Sequence, residues 1–214
     1  GSGIFGLPFT RENSKVVLVP VPFDATTSYA RGTADGPDAI LNASLQVDLY
    51  DRRFGRVYEK GIVLLDEEAR IRELSEKAGE LSTPIVERGG ATEADAKDIA
   101  QINKASEEMN AWVEKTARSI HDEGKIPGIV GGEHSVPFGA IMAAAEKHGE
   151  IGILHVDAHM DFREAFEGFA WSHASIMHNV VSRIPGVKRL VQVGIRDFGE
   201  RELEFAREHT ERVH

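Results

Sequence analysis

The sequence predicts one α/β domain built on a mostly parallel sheet, and three observations support this fold class. Short apolar runs rich in β-branched residues recur along the chain, with helix-like segments between several of them, which is the alternation expected of βαβ units. The 214 residues, 41% of them apolar, are enough to bury the core of one domain. No repeat, low-complexity tract or linker divides the sequence, so residues 1–214 are expected to form a single domain.

Five apolar runs are predicted to be the strands, because each is short and rich in valine, isoleucine or leucine. They span residues 16–21, 62–65, 126–130, 151–156 and 190–193.

Helices are predicted between several of these strands. From residue 92 to 123, apolar side chains recur mostly at helical spacing, and Gly124 ends the pattern. Residues 137–148, with proline in the first turn, and residues 172–183 are predicted to be two crossover helices. The mixed, glycine-containing segment 79–91 is predicted to be an exposed loop.

The amino-acid composition indicates which classes of partner and which cellular compartment to expect. The formal net charge of -10 disfavours nucleic acid, whose phosphates the surface would repel, and suits a small cationic substrate. Cysteine is absent and histidine occurs nine times, so a bound metal would need oxygen and imidazole ligands. No stretch approaches the roughly 20 apolar residues of a bilayer span. We therefore expect no membrane partner and a cytoplasmic location, and we interpret Gly1 and Ser2 as the remnant of a cleaved tag.

Polar residues that could carry chemistry follow two of the predicted strands, where ligands of open α/β sheets bind. Asp157, His159 and Asp161 alternate with period two, so an extended backbone would project all three side chains to one side. Carboxylates packed closely repel each other, and a bound divalent cation removes that cost. In the alternative interpretation, Asp157 caps a turn, His159 lies on the surface and Asp161 starts a loop.

His134 strengthens the metal interpretation. It follows a Gly-Gly turn at the end of the preceding strand, and it would face the same crevice if the two strands are near neighbours. By itself such a histidine would be an ordinary loop residue. Two histidines and two aspartates form a mixed nitrogen and oxygen set that suits Mn²⁺, with Zn²⁺ as a competitor for the same ligands.

Two other histidines have plainer interpretations. His155 lies inside an apolar run and is expected to be a buried, hydrogen-bonded strand residue rather than a third imidazole ligand. His173 follows Ser172, a residue type that caps helices, so taken alone it is a histidine at a helix N-terminus.

The motifs together resemble those of the ureohydrolase family of arginases and agmatinases. Residues 131–135 (GGEHS) resemble the family's Gly-Gly-Asp-His-Ser signature, and residues 155–161 (HVDAHMD) resemble its Asp-Ala-His-x-Asp signature in the agmatinase form. The segments 21–40, 171–175 (WSHAS) and 191–196 (VQVGIR) resemble further parts of bacterial and archaeal agmatinases, in the same order. The resemblance implies a three-layer α/β/α fold.

The resemblance also implies roles for individual residues. His134 and Asp161 would be ligands of one Mn²⁺, His159 a ligand of a second, and Asp157 a carboxylate near both. Glu133, where the family usually has aspartate, would orient the neighbouring histidine rather than bind metal. His173 matches a proton-shuttling histidine. Arg163, Glu164 and Glu167 fall in a loop that contacts the substrate's tail in the family, although each also fits a plain surface loop.

For the reaction, the resemblance implies that a water bridging two Mn²⁺ ions ionises near neutral pH and attacks the guanidinium carbon of the substrate. Asp157 and His173 would be the catalytic residues, with His173 moving a proton to the leaving amine. Agmatine, cleaved to urea and putrescine, is favoured over arginine and related guanidino acids. A homo-oligomer is also implied.

One part of the family pattern is missing. The family continues into an Asp-x-Asp element that completes both metal sites, and nothing in the sequence matches it. We therefore expect a domain that lacks its C-terminal portion, including central strands of the sheet. A catalytically inactive metal-binding or interaction protein of the same fold, and a different metallohydrolase, are the alternative functions.

Overall fold

A computed structural model describes residues 3–214, so Gly1 and Ser2, interpreted above as a tag remnant, lie outside the described residues. The strands are Val16–Val21 (β1), Ile62–Leu64 (β2), Ile126–Gly131 (β3), Ile151–Val156 (β4) and Val187–Val193 (β5). The α-helices are Gly36–Ala43 (α1), Ala69–Glu87 (α2), Ala96–Asp122 (α3), Phe138–His148 (α4), Ile176–Arg183 (α5) and Glu200–Glu208 (α6). All five predicted strands are present, and the α/β fold class is confirmed.

The strands form two parallel sheets. One has the order β2-β1-β3 and the other pairs β4 with β5. β1 is the central strand of the first sheet and pairs with β3 along its whole length, from Val16 opposite Ile126 to Val21 opposite Gly131. Within residues 3–214, β3 and β4 are not hydrogen-bonded to each other.

The core has two parts. Val17, Val19 and Val21 of β1 are completely or almost completely buried, and they belong to a cluster that includes apolar residues of α2 and α3. A second cluster joins the β4–β5 sheet to α4 and α5. The other face of β4–β5 is apolar and exposed, since Leu154 and Val156 lie opposite Val191 and Val193.

The prediction of an exposed loop at residues 79–91 is wrong for residues 79–87, which belong to α2. The sequence does not show a helical pattern there because Gly79 and Ser82 are small residues that contact the segment containing Ala25 and Arg31. A Cβ atom on Gly79 would overlap the guanidinium group of Arg31, and the hydroxyl of Ser82 donates to the carbonyl of Ala25. Tertiary contacts therefore outweigh the low helix propensity of Gly79.

The other helix predictions are confirmed in type. Residues 92–95 form a capping box and a short 3-10 turn that leads into α3, which explains the helical pattern from residue 92. The segment 172–183 begins with a short turn before α5. The helices α1, α2 and α6 are not among those predicted from the sequence. Across residues 3–214, no helix combines the length and the apolar character needed to cross a membrane.

Candidate metal centre

The predicted ligands of two strand ends meet in space, although their strands do not pair. Nδ1 of His134, which follows β3, lies 2.7 Å from Oδ2 of Asp161 and 3.3 Å from Oδ2 of Asp157, both of which follow β4. One ligand atom from each of His134, His155, Asp157 and Asp161 lies within 4.8 Å of the others. The two loops therefore create one cluster of imidazole and carboxylate groups.

The loop that carries His134 is fastened to the end of β1. The amide of Glu133 donates to the carbonyl of Phe23 over 2.9 Å, and the amide of Gly132 donates to the carbonyl of Thr33 over 3.1 Å. Gly132 has φ +75, and a Cβ atom there would lie 2.5 Å from the carbonyl oxygen of Val21. Only glycine allows so close an approach in this conformation, so Gly132 sets the position of His134.

Asp161 departs from the extended geometry that the period-two pattern predicts, because its φ is +56. Its carbonyl accepts hydrogen bonds from the amides of Met177 and His178 in the first turn of α5. The next amide, that of Phe162, donates over 3.1 Å to Oε1 of Glu202 in α6. These contacts hold Asp161 in a left-handed conformation that few residues other than glycine adopt, with its carboxylate turned toward His134.

His159 lies at the edge of the cluster. Its side chain is 57% exposed, with Nδ1 3.3 Å from Oδ1 of Asp157 and Nε2 3.7 Å from Oδ2 of Asp197. His159 is therefore more exposed than the group around His134, and Asp157 is the residue that contacts both. Asp197 was not predicted. It follows β5 and lies just beyond residues 191–196, the last segment that resembles the family.

His155 is near enough to bind a metal, but its hydrogen bonds give it another role. The side-chain amide nitrogen of Gln192 donates over 2.9 Å to the carbonyl of Met160 and also contacts Nδ1 of His155 at 2.9 Å. Because a carbonyl can only accept, the Gln192 group is the NH₂ donor, and Nδ1 of His155 is the acceptor. In the neutral ring Nε2 then carries the proton and faces Oδ2 of Asp157 at 3.3 Å, so His155 orients this carboxylate.

The electrostatics of the cluster favour a cation at its centre. Burial acts to lower the pKa of His134, but the hydrogen bond and charge of Asp161, together with Asp157, raise it overall. Burial acts to raise the pKa of Asp157, and the amide of His159 and the nearby imidazoles of His134 and His155 lower it overall. Both carboxylates thus attract positive charge to the space beside His134.

Glu133 is directed away from the cluster. Its carboxylate accepts hydrogen bonds from the amide and hydroxyl of Ser135 and from the hydroxyl of Thr26. Burial raises its pKa from 4.5 to about 7, although these hydrogen bonds act in the opposite direction. Glu133 therefore stabilises the loop of His134 through hydrogen bonds to Thr26 and Ser135 rather than through contact with the cluster.

This raised pKa predicts how Glu133 affects stability. Between pH 4.5 and about 7, the folded chain binds the proton of Glu133 more tightly than the unfolded chain does. The protonated Glu133 side chain therefore stabilises the folded chain. This contribution to the free energy of unfolding, at most about 3 kcal/mol, is complete below pH 4.5 and is lost as pH rises through 7. We expect the Glu133→Gln variant to lack this loss, so that its stability relative to the parent chain increases with pH. Urea denaturation with a chelator present, at pH 5 and pH 8, measures the difference, and a constant difference would contradict the pKa assignment.

His173 lies across a cavity of about 250 Å³ from the cluster, and His159 and Asp161 line the same cavity. Nδ1 of His173 contacts the carbonyl of Thr26 at 2.6 Å, and Nε2 contacts Oγ of Ser28 at 2.8 Å. Burial lowers the pKa of His173, against the effect of the Thr26 carbonyl. A neutral imidazole is thus placed beside the candidate ligands, where it could accept a proton.

The three candidate substrate contacts of the loop after Asp161 lie in different places. Arg163 lines the cavity that His159 and His173 share, with Nε 3.7 Å from Oε2 of Glu202. Glu164 does not line it, and faces a larger neighbouring cavity of about 880 Å³. Glu167, in the same loop, has an oxygen beside Gly90.

The described residues add four side chains to the site that sequence analysis did not identify, namely Ser28, Gln192, Asp197 and Glu202. Of these, only Glu202 had a local signal, since an acid at the third position of a helix can cap its start. Its Oε2 accepts the amide of Gly199 over 2.7 Å.

Comparison with known proteins gives a consistent result. The model of the arginase family matches residues 14–214. An agmatinase of Bacillus anthracis is 30% identical over 197 residues, covering 92% of this chain and 57% of that protein. An N(1)-aminopropylagmatine ureohydrolase of Synechocystis is 29% identical over 201 residues, covering 92% of this chain and 55% of that protein. The chain thus spans little more than half the length of these curated relatives.

Solved structures share the fold. The agmatine ureohydrolase of Thermoplasma volcanium superposes with a TM-score of 0.68 at 24% identity, covering 95% of this chain and 58% of that one. An arginase from Medicago truncatula gives a TM-score of 0.63 at 24% identity, covering 94% of this chain and 56% of that one. At this identity the likeness concerns the fold.

Proposed function

Because the chain belongs to the arginase family, we propose that it is a dinuclear-manganese hydrolase of guanidino compounds, with agmatine as substrate and urea and putrescine as products. The observation that carries this proposal is the contact of His134 with both Asp157 and Asp161. It brings the ligands of two separate motifs together. The names of the relatives, agmatinase and N(1)-aminopropylagmatine ureohydrolase, favour a substrate built on agmatine over arginine.

The residues present fit divalent cations. His134, Asp157 and Asp161 would hold one ion, and His159 with Asp157 would hold a second. Imidazole and carboxylate suit Mn²⁺, and Zn²⁺ accepts the same groups. The raised pKa of His134 supports this fit. It shows that the carboxylates around His134 stabilise a positive charge at this position, and a bound cation would supply that charge in place of the proton.

The ions would supply hydroxide near neutral pH, since metals can lower the pKa of bound water from 15.7 to about 7. The chain's own residues perform the remaining tasks. The cavity between His159 and His173 is lined by Asp161, so a guanidinium group bound there meets negative charge. His173 can accept a proton at Nε2 and return it to the leaving amine.

A urea-release assay tests this proposal. We expect the whole protein with Mn²⁺ to release urea from agmatine or from N(1)-aminopropylagmatine, to release less from arginine, and to release none after chelation. The His173→Gln variant should keep its Mn²⁺ affinity and lose about 100-fold or more in kcat, since a general acid or base contributes about 10²–10⁴-fold.

Mass spectrometry of the intact protein provides the control for this assay. A chain of full mass that binds Mn²⁺ but releases no urea from any guanidino compound would contradict the proposal. That result would favour the alternative, a metal-binding protein of the same fold. A cytoplasmic location and assembly into a homo-oligomer stay predictions.

A further inference from the structure

The loop that follows β1 contacts His173 at both ring nitrogens. Thr26 and Ser28 belong to this loop and lie about 150 residues before His173 in sequence, at separations of 147 and 145. The loop is itself firmly held, because Asp24 accepts the amide of Gly32 over 2.6 Å and pairs with Arg31 at 2.8 Å. These contacts indicate that Thr26 and Ser28 have fixed positions relative to the site.

Thr26 determines which nitrogen of His173 is protonated. Its carbonyl lies 2.6 Å from Nδ1, and a carbonyl oxygen can only accept a hydrogen bond. Nδ1 therefore carries the proton in the neutral ring. Thr26 is completely buried and its hydroxyl donates to Oε1 of Glu133 over 3.0 Å, so it cannot easily turn away from His173.

Ser28 occupies the other side of the ring. With Nδ1 protonated, Nε2 of the neutral ring has a lone pair, and the Ser28 hydroxyl 2.8 Å away donates to it. Because this bond occupies the one free lone pair of the neutral ring, the exposed Ser28 side chain has to rotate aside for Nε2 to take a proton from the cavity. Afterwards its oxygen can accept a hydrogen bond from the new Nε2–H. Ser28 thus satisfies both protonation states of His173 without any movement of the backbone.

We propose that Ser28 is a positioning residue that, together with the Thr26 carbonyl, holds His173 as its Nδ1–H tautomer, with the lone pair of Nε2 directed at the Ser28 hydroxyl on the wall of the cavity. The role of Ser28 in catalysis rests on the proposed function, whereas the tautomer does not. The hydrogen bond of the Ser28 hydroxyl is to His173 rather than to a predicted metal ligand. It acts through His173.

Nitrogen-15 NMR of the histidine side chains tests the proposal on the metal-free chain. We expect His173, assigned by its absence in His173→Gln, to be the Nδ1–H tautomer. In Ser28→Ala, the Nε2 resonance should move to the position of an unbonded ring nitrogen, and Ser28→Thr should restore the parent position. Tyr29→Phe is the matched control, because it removes an exposed hydroxyl from the same loop and should leave the resonance unchanged.

Kinetics provide the second readout. Ser28→Ala should lower kcat about tenfold at nearly constant KM, the loss expected when one hydrogen bond that orients a reacting group is removed, and Ser28→Thr should restore most of it.

Two results would overturn the proposal: an Nε2–H tautomer in the parent chain, or an Nε2 resonance that Ser28→Ala leaves unchanged. Both are measured without turnover. A chain that releases no urea therefore counts against the proposed function alone, and a chain that releases urea with an unchanged resonance counts against Ser28 alone.

Discussion

The Asp161→Asn variant is expected to bind Mn²⁺ at least about 100-fold more weakly than the parent chain and to release no measurable urea. Loss of a residue that merely orients a ligand costs about 10–100-fold in metal affinity, and Asp161 is placed to be a ligand itself. Its carboxylate is almost fully buried and lies 2.7 Å from Nδ1 of His134. Asparagine keeps the shape but removes the negative charge that a cation requires.

Isothermal titration calorimetry with Mn²⁺ measures the affinity. Asp48→Asn is the control, because it removes the same charge at an exposed position outside the cluster. Asp161→Asn can also be tested without metal, through the pKa of His134. Since Asp161 raises the pKa of His134, this pKa should fall in Asp161→Asn. Equal Mn²⁺ affinity in Asp161→Asn and Asp48→Asn would remove Asp161 from the proposed ligand set.

The Gly132→Ala variant is expected to lose about 3 kcal/mol or more of folding free energy and to lose Mn²⁺ binding with it. A left-handed conformation costs a residue other than glycine about 1–3 kcal/mol. Here the added Cβ would also lie 2.5 Å from the carbonyl oxygen of Val21 and 2.6 Å from that of Phe23. These are backbone atoms at the end of the central strand, so the loop of His134 must move instead.

Gly124→Ala separates the two causes. Gly124 has φ +70, close to the φ of +75 at Gly132, but a Cβ atom there would meet nothing within 4 Å. It should therefore show only the conformational cost, about 1–2 kcal/mol. Urea denaturation of both variants measures the difference. Equal losses in the two would mean that contact with the end of β1 does not fix the loop of His134.

Much of the fold could be predicted because its signals are local. Apolar runs such as 16–21 and 151–156 are long enough to show strands, and the helical spacing of α3 continues for several turns. The segment 79–87 is different, because Gly79 lowers helix propensity and the sequence predicts a loop where the structure has the end of α2. Its helix is stabilised by packing against Arg31 and Ala25, residues more than 45 positions earlier in the sequence.

The candidate site shows the same division. The residue types of the two motifs indicated a metal site at the strand ends, but the contacts of His155 with Gln192 and of Asp161 with the first turn of α5 connect segments that are distant in sequence. Spacing along one strand predicts the direction of a side chain only while the backbone stays extended. The backbone at Asp161 is not extended, since its φ is +56.

The sequence by itself determined the family, the strands and the residue types that could bind a cation, because strand propensity and short motifs are properties of adjacent residues. Only the tertiary structure decided that His134 meets Asp161 across unpaired strands, that His155 orients Asp157 and that Ser28 contacts His173. The physical reason is that hydrogen bonds and pKa values depend on distances of a few ångströms, and for residues far apart in the chain those distances are set by packing.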